Sequence, residues 1–233
     1  MPDQIISKYL QTDVCDTARS VAADVLVAES NHRIANNLTL IAGLVRLQAA
    51  GIARTGEPLS ATDACLALEE IGNRIETVGR LHRLLAARGK APTIDMSDYL
   101  REIAEAAVAS MSTKVDMTLR HISTAECEIP TQEALAVGFV VGELVTNAVK
   151  YAHPTGVSGL IEVGCHRGAH GGTVIEVADD GIGLPEGWDP ARDGGLGMRM
   201  VRSLARQLGA KLEFITDGIG LGVELALPAP PGV

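Results

Sequence analysis

Three segments of the C-terminal half hold residues whose types and spacing suit work on phosphates: "GELVTNAVKYA", "VADDGIGLP" and "GGLGMRMV". In the first, Glu143, Asn147 and Lys150 stand four and three residues apart, so one face of a helix carries all three. A carboxylate there can polarise a reacting group, an amide oxygen can hold Mg²⁺, and an ammonium can meet phosphate oxygens. In the second, an apolar run ends in Asp179 and is followed by Gly181 and Gly183. Such glycines let the backbone turn tightly and let a flat ring approach, while Asp179 can accept from an exocyclic amine such as that of adenine. In the third, Gly195 and Gly197 open a helix whose free N–H groups make an anion site. Each pattern alone is common. Their order along one chain carries the weight. Neither a G-x-x-x-x-G-K-[ST] loop nor a dinucleotide fingerprint is present, which excludes the two commonest phosphate-binding loops.

The N-terminal half offers a different chemistry in "ESNHRIANNLTLIAGLVRLQ", Glu29 to Gln48. On a helix turning ~100° per residue, with Ile34 as origin, Val27, Leu38, Ile41 and Val45 fall within ~40° and form a core stripe. His32 falls ~160° away, with Asn36 at i+4 and Glu29 at i−3. The imidazole is therefore expected to be exposed. A carboxylate bonded to one ring nitrogen fixes the tautomer and raises the basicity of the other, making a better nucleophile. His82 lies on an apolar stripe and reads as core. His121, His153, His166 and His170 have no flanking constellation.

The elements that must position these groups differ between the halves. A helical pattern runs from about Val14 to Ala50, and Gly51 with Thr55-Gly56-Glu57-Pro58 is expected to end it. A second runs from about Ser60 to Arg88, with Ser60 or Thr62 as N-cap and Leu68, Ile71, Ile75, Val78, Leu81 and Leu85 on its apolar stripe. Two helices joined by a short loop make an antiparallel hairpin whose stripes stay uncovered alone. Two hairpins packed as a four-helix bundle cover them, which predicts a homodimer. Beyond Pro92, helices are expected at 97–111, 131–152 and 196–208. Strands are expected within 114–122, 160–167, 172–180, 210–216 and 220–228. Interleaved helices and mostly antiparallel strands indicate an α+β sandwich, helices on one face of a mixed sheet. The expected boundary divides a hairpin domain, 1–90, from a domain over 91–233, with residues 90–94 as a hinge.

Composition narrows the rest. With 20 Lys and Arg against 29 Asp and Glu, the net charge is −9, the wrong sign for a nucleic-acid partner. Cys15, Cys65, Cys127 and Cys165 are scattered without a C-x-x-C pair and read as buried small hydrophobes in a reducing compartment. No apolar run approaches the ~18 residues of a spanning helix, and the N-terminus is not a signal peptide. A cytoplasmic protein without membrane insertion is expected.

Taken together, these motifs carry a resemblance. The second half resembles the GHKL-type (Bergerat) ATP-binding domain, with "ELVTNAVKYA" similar to its N box, "DDGIG" to its G1 box and "GGLGM" to its G2 box. The first half resembles the phosphoacceptor hairpin of the histidine-kinase subfamily whose box reads H-R-x-x-N-N-L, here His32, Arg33, Asn36, Asn37 and Leu38. The resemblance implies that ATP binds with adenine at Asp179 and Mg²⁺ at Asn147. It implies that Glu143 and Lys150 assist at the phosphates and that His32 accepts the γ-phosphoryl group. Glu29 is the candidate for orienting the imidazole, because Arg33 stands where other subfamilies have an acidic residue. The implied partner is the receiver domain of a response regulator. About 28 residues precede the box, too few for a sensor domain, so input is expected from a separate sensor protein. The alternative is a histidine phosphotransfer protein with a vestigial or regulatory ATP domain. A serine kinase sharing the ATP domain has no use for the hairpin.

Overall fold

The computed structural model describes Ala35 and residues 38–229, apart from positions 55, 57, 90, 112–116, 124–126, 170 and 217–218. Glu29, His32, Arg33, Asn36 and Asn37 lie outside the described residues, as do Cys15, Lys90 and His170. The chain forms two compact units, residues 1–43 and 44–233.

Residues 38–54 are helical (α1), so the helix passes through Gly51 instead of stopping at it. One glycine in a helix costs about 1 kcal/mol, too little to end a helix held by packing. Leu44 is its fully buried residue, whereas Leu38 and Val45, expected in the core stripe, are exposed. Helix α2, Ala61–Ala87, begins as the sequence predicts: the Ser60 hydroxyl accepts from the Asp63 N–H at 3.1 Å. Its stripe is buried only in its second half. Val78, Leu81 and Leu85 are buried, while Leu66, Leu68 and Ile75 face solvent.

The C-terminal unit continues as β1 (Thr93–Asp95), α3 (Met96–Met111), β2 (Met117–Ser123), β3 (Glu128–Pro130), α4 (Thr131–Tyr151), β4 (Gly159–Arg167) and β5 (Thr173–Asp179). It closes with α5 (Leu196–Gln207), β6 (Lys211–Ile215) and β7 (Leu221–Ala226). Five strands form a mixed sheet in the order β2-β4-β5-β7-β6, parallel only between β2 and β4. The short strands β1 and β3, absent from the sequence reading, pair antiparallel. That pairing takes Thr93 and Ile94 out of the expected hinge.

Period-2 alternation puts Ile161, Val163 and Cys165 of β4, Ile175 and Val177 of β5, and Val223 and Leu225 of β7 on the buried face. Helix α4 supplies Val137, Phe139, Val140, Val141 and Val145 to the core and packs against α2, α3 and α5. By length and composition α4 is apolar enough to cross a membrane, contrary to the expectation that no run was, but 61% of its apolar window is buried within the fold. It is a central core helix. Pro154, three residues past Tyr151, cannot continue it.

The cysteine reading needs correction on two counts. Cys127 and Cys165 are buried, yet they are joined as a disulfide with Cα atoms 6.1 Å apart, well inside disulfide reach. Their 38-residue separation carries no pattern that foretells the pairing. Cys65 is exposed on α2, not buried.

Candidate active site

Helix α4 presents Glu143, Asn147 and Lys150 along one side of a cavity of about 460 Å³. Asp179 reaches the same cavity because it is in phase with Ile175 and Val177, on the helix-facing side of β5. Gly183, Gly195 and Gly197 line the cavity as well. Gly181 does not line it, but its N–H donates to Asp179 Oδ1 at 3.0 Å and so aims the carboxylate. Gly183 sits at φ +70°, a left-handed conformation that glycine adopts without a Cβ penalty. The described predicted residues therefore converge on one place.

The two adjacent aspartates divide their work. Asp180 Oδ1 is 2.8 Å from His153 Nε2 and accepts from the Leu160 N–H at 2.8 Å, which ties the loop to β4. The Leu160 N–H is the main cause holding its carboxyl below the usual aspartate range. His153, expected to lack a flanking constellation, thus has a partner supplied from 27 residues away. Burial pushes the Asp179 carboxyl up instead, against the N–H groups of Gly181 and Leu221. Asp179 is a half-buried acceptor facing an apolar cavity, the setting in which a bond to a ligand amine is worth most.

At the other end of the cavity, Asn147 Nδ2 points to the Met198 sulfur at 3.3 Å, which leaves the amide oxygen available to a cation. Among the described residues no cluster of three His, Cys, Asp or Glu side chains could hold a metal. A single amide oxygen suits Mg²⁺, which keeps waters and shares its coordination with bound phosphates. Gly195, the N-cap of α5, supplies no side-chain acceptor to the first N–H groups of the helix, which can therefore meet an anion.

The loop over residues 184–194 is fixed by definite contacts. Trp188 packs on Phe214 of β6, ring centroids 5.6 Å apart. Arg202 of α5 donates to the carbonyls of Asp193 at 2.7 Å and Pro190 at 3.0 Å.

Sequence reasoning missed Arg74. From α2 it enters the cavity beside Glu143, with Nη2 donating to Oε2 at 3.3 Å and Nε 3.1 Å from Oε1. Burial pushes the Glu143 carboxyl up, and the charges of Arg74 and Lys150 oppose this. No local spacing could have revealed a partner 69 positions away.

Residues 29–111 match the family model described as histidine kinase, and residues 104–220 match that of the histidine kinase-like ATPase domain. The chain belongs to the histidine kinase family. It is 27% identical over 214 residues to blue-light-activated histidine kinase 2 of Erythrobacter litoralis, covering 90% of this chain and 59% of that protein. It is 29% identical over 217 residues to the sensor histidine kinase PdtaS of Mycobacterium tuberculosis, covering 91% of this chain and 40% of that one. The histidine kinase chain thus spans about two to three fifths of these relatives. Among solved structures, the Erythrobacter litoralis EL346 blue-light activated histidine kinase superposes with a TM-score of 0.65 at 25% identity, over 82% of this chain and 58% of that one. The histidine kinase family model covers Glu29 and His32 as well.

Proposed function

We propose that this chain is the catalytic core of a two-component histidine kinase that phosphorylates His32 from ATP. The observation that carries the reading is the convergence of Asp179, Asn147, Lys150 and the open α5 terminus on one cavity, in a chain whose N-terminal part matches the histidine kinase family. Adenine takes the Asp179 end and the triphosphate the Asn147 end, near Lys150 and the N–H groups after Gly195. Mg²⁺ would be held by the Asn147 amide oxygen together with the phosphates, and would supply charge neutralisation there. One ring nitrogen of His32 attacks the γ-phosphorus. The bond to the β–γ bridging oxygen breaks, ADP leaves, and the ring's other N–H proton passes to a carboxylate. Glu29 orients the imidazole and Glu143 assists at the phosphates. Positioning and charge neutralisation supply most of the catalysis.

The phosphoryl group then passes to an aspartate of a response-regulator receiver domain. The hairpin, taken through residue 90, pairs with a second copy. The exposed Leu66, Leu68 and Ile75 of α2 support this, because a second hairpin is what would cover them. The ATP-binding domain is taken from residue 91 onward. A cytoplasmic location completes the reading. The phosphotransfer alternative is disfavoured by a cavity that Asn147, Lys150, Asp179, Gly183 and Gly197 line together.

Incubation with γ-labelled Mg-ATP, beside His32→Ala and Asn147→Ala, tests the proposal. Acid-labile, base-stable label on the wild type and on neither variant is expected. Absence of label together with absence of ATP binding refutes it.

A further inference from the structure

The Arg74–Glu143 pair joins a hairpin helix to the phosphate end of the cavity, and nothing in the motifs accounts for it. Arg74 and Glu143 have side chains only 13% and 12% exposed. Both carboxylate oxygens of Glu143 face the guanidinium, and Glu70 takes Arg74 Nη1 at 3.0 Å. A Cβ at Gly197 would collide with the Glu143 carboxylate and crowd Arg74 Nη2, so the pair lies directly against the start of α5. Three elements, α2, α4 and α5, therefore meet at this one contact.

A carboxylate whose two oxygens both face a guanidinium is a poor partner for anything else. Glu143 cannot face a reacting group while Arg74 occupies it. The clamp is also incompletely made. Only Nη2 is aligned as a hydrogen bond, and the buried Nε has no aligned acceptor despite its 3.1 Å approach to Oε1. Such a contact is poised to be released, and an incoming triphosphate offers Arg74 a stronger acceptor than Glu143. The charged groups around Glu143 are Arg74 and Glu70 from α2 and Lys150 from its own helix, so Lys150 remains to balance it once Arg74 leaves.

We propose that Arg74 is a positioning residue that withholds Glu143 in this arrangement, and that phosphorylation of His32 requires the pair to open. The proposal rests on the kinase reading above. It makes α2 docking and Glu143 availability two sides of one equilibrium, because the same guanidinium serves both.

The test is single-turnover phosphorylation of His32 at saturating Mg-ATP in the full chain, with Arg74→Gln, Arg74→Lys, Glu143→Gln and the double variant Arg74→Gln/Glu143→Gln. Arg74→Gln is expected to raise the rate about fivefold, which is ~1 kcal/mol of barrier. Arg74→Lys, which keeps the charge without the planar fork, should fall between it and the wild type. In the Glu143→Gln background, Arg74→Gln should change nothing. A structural role for Arg74 alone would not produce that dependence on Glu143. An unchanged or lower rate in Arg74→Gln overturns the proposal, as does a gain that survives Glu143→Gln. Label on the wild type without a gain in Arg74→Gln overturns this inference alone. Absence of label from both overturns it together with the kinase reading.

Discussion

Asp179→Asn should weaken ATP and strengthen the empty protein at the same time. The carboxylate sits at the end of β5 with Oδ1 accepting from Gly181 at 3.0 Å, and it faces the cavity half buried. Asparagine keeps that acceptor but turns a donor toward the adenine amine. The charge-assisted hydrogen bond lost is worth about 1.5–3 kcal/mol, so Kd for Mg-ATP should rise about ten- to a hundredfold. GTP carries a carbonyl where ATP carries the amine, so its affinity should be unchanged or improved. Trp188, the sole tryptophan, lines the cavity, so its fluorescence provides the titration. Stability should move the other way. Burial raises the folded-state pKa of Asp179, so the folded protein binds the extra proton. Stability therefore falls as pH rises from the ordinary aspartate value through the raised folded value, above which the penalty is complete. The variant carries no such penalty. Its Tm should exceed the wild type's at pH 7, with the gap closing toward the ordinary aspartate range. Equal losses for ATP and GTP, or a lower Tm at pH 7, would refute the placement of Asp179 as the adenine acceptor.

Three further outcomes follow from the same contacts. Phe139→Ala empties a fully buried site on α4 and should cost about 3–5 kcal/mol, read by chemical denaturation. Leu68→Glu with Ile75→Glu, on the exposed part of the α2 stripe, should convert a dimer to monomer in light scattering while leaving the ATP Kd within about twofold. Asn147→Ala removes the amide oxygen expected to meet Mg²⁺. It should abolish the Mg²⁺ dependence of ATP affinity in a chelator titration and leave the Mg²⁺-free affinity nearly intact.

How much of this was legible in the sequence depends on the range of the interaction. Helix α4, the sheet strands and the Ser60 cap were readable because period and capping are local signals. β1 and β3 were not, because three-residue strands have too little alternation to register and exist only through each other. Gly51 misled for a related reason: a local breaker signal yields to the packing of the helix around it. The exposed Leu38, Val45 and Leu68 mark where apolar periodicity picks out a face that the described fold leaves uncovered.

The site divides along the same line. Asp179, Asn147, Lys150 and the glycines were recognisable because each sits in a short motif, and the fold brings those motifs to one cavity. Choosing Asp179 over Asp180 needed only the strand phase, since alternate residues of β5 face the helices. What remained invisible was every group that restrains a motif residue from a distance: Met198 on Asn147, His153 on Asp180 and Arg74 on Glu143. Motif spacing specifies what a residue can do. It carries no information about whether a partner elsewhere in the fold leaves it free to do so. For Glu143 the partner comes from the hairpin helix α2, so the availability of an ATP-site carboxylate is set by an element outside the ATP motifs. Control of a kinase core could act there without altering a single nucleotide contact.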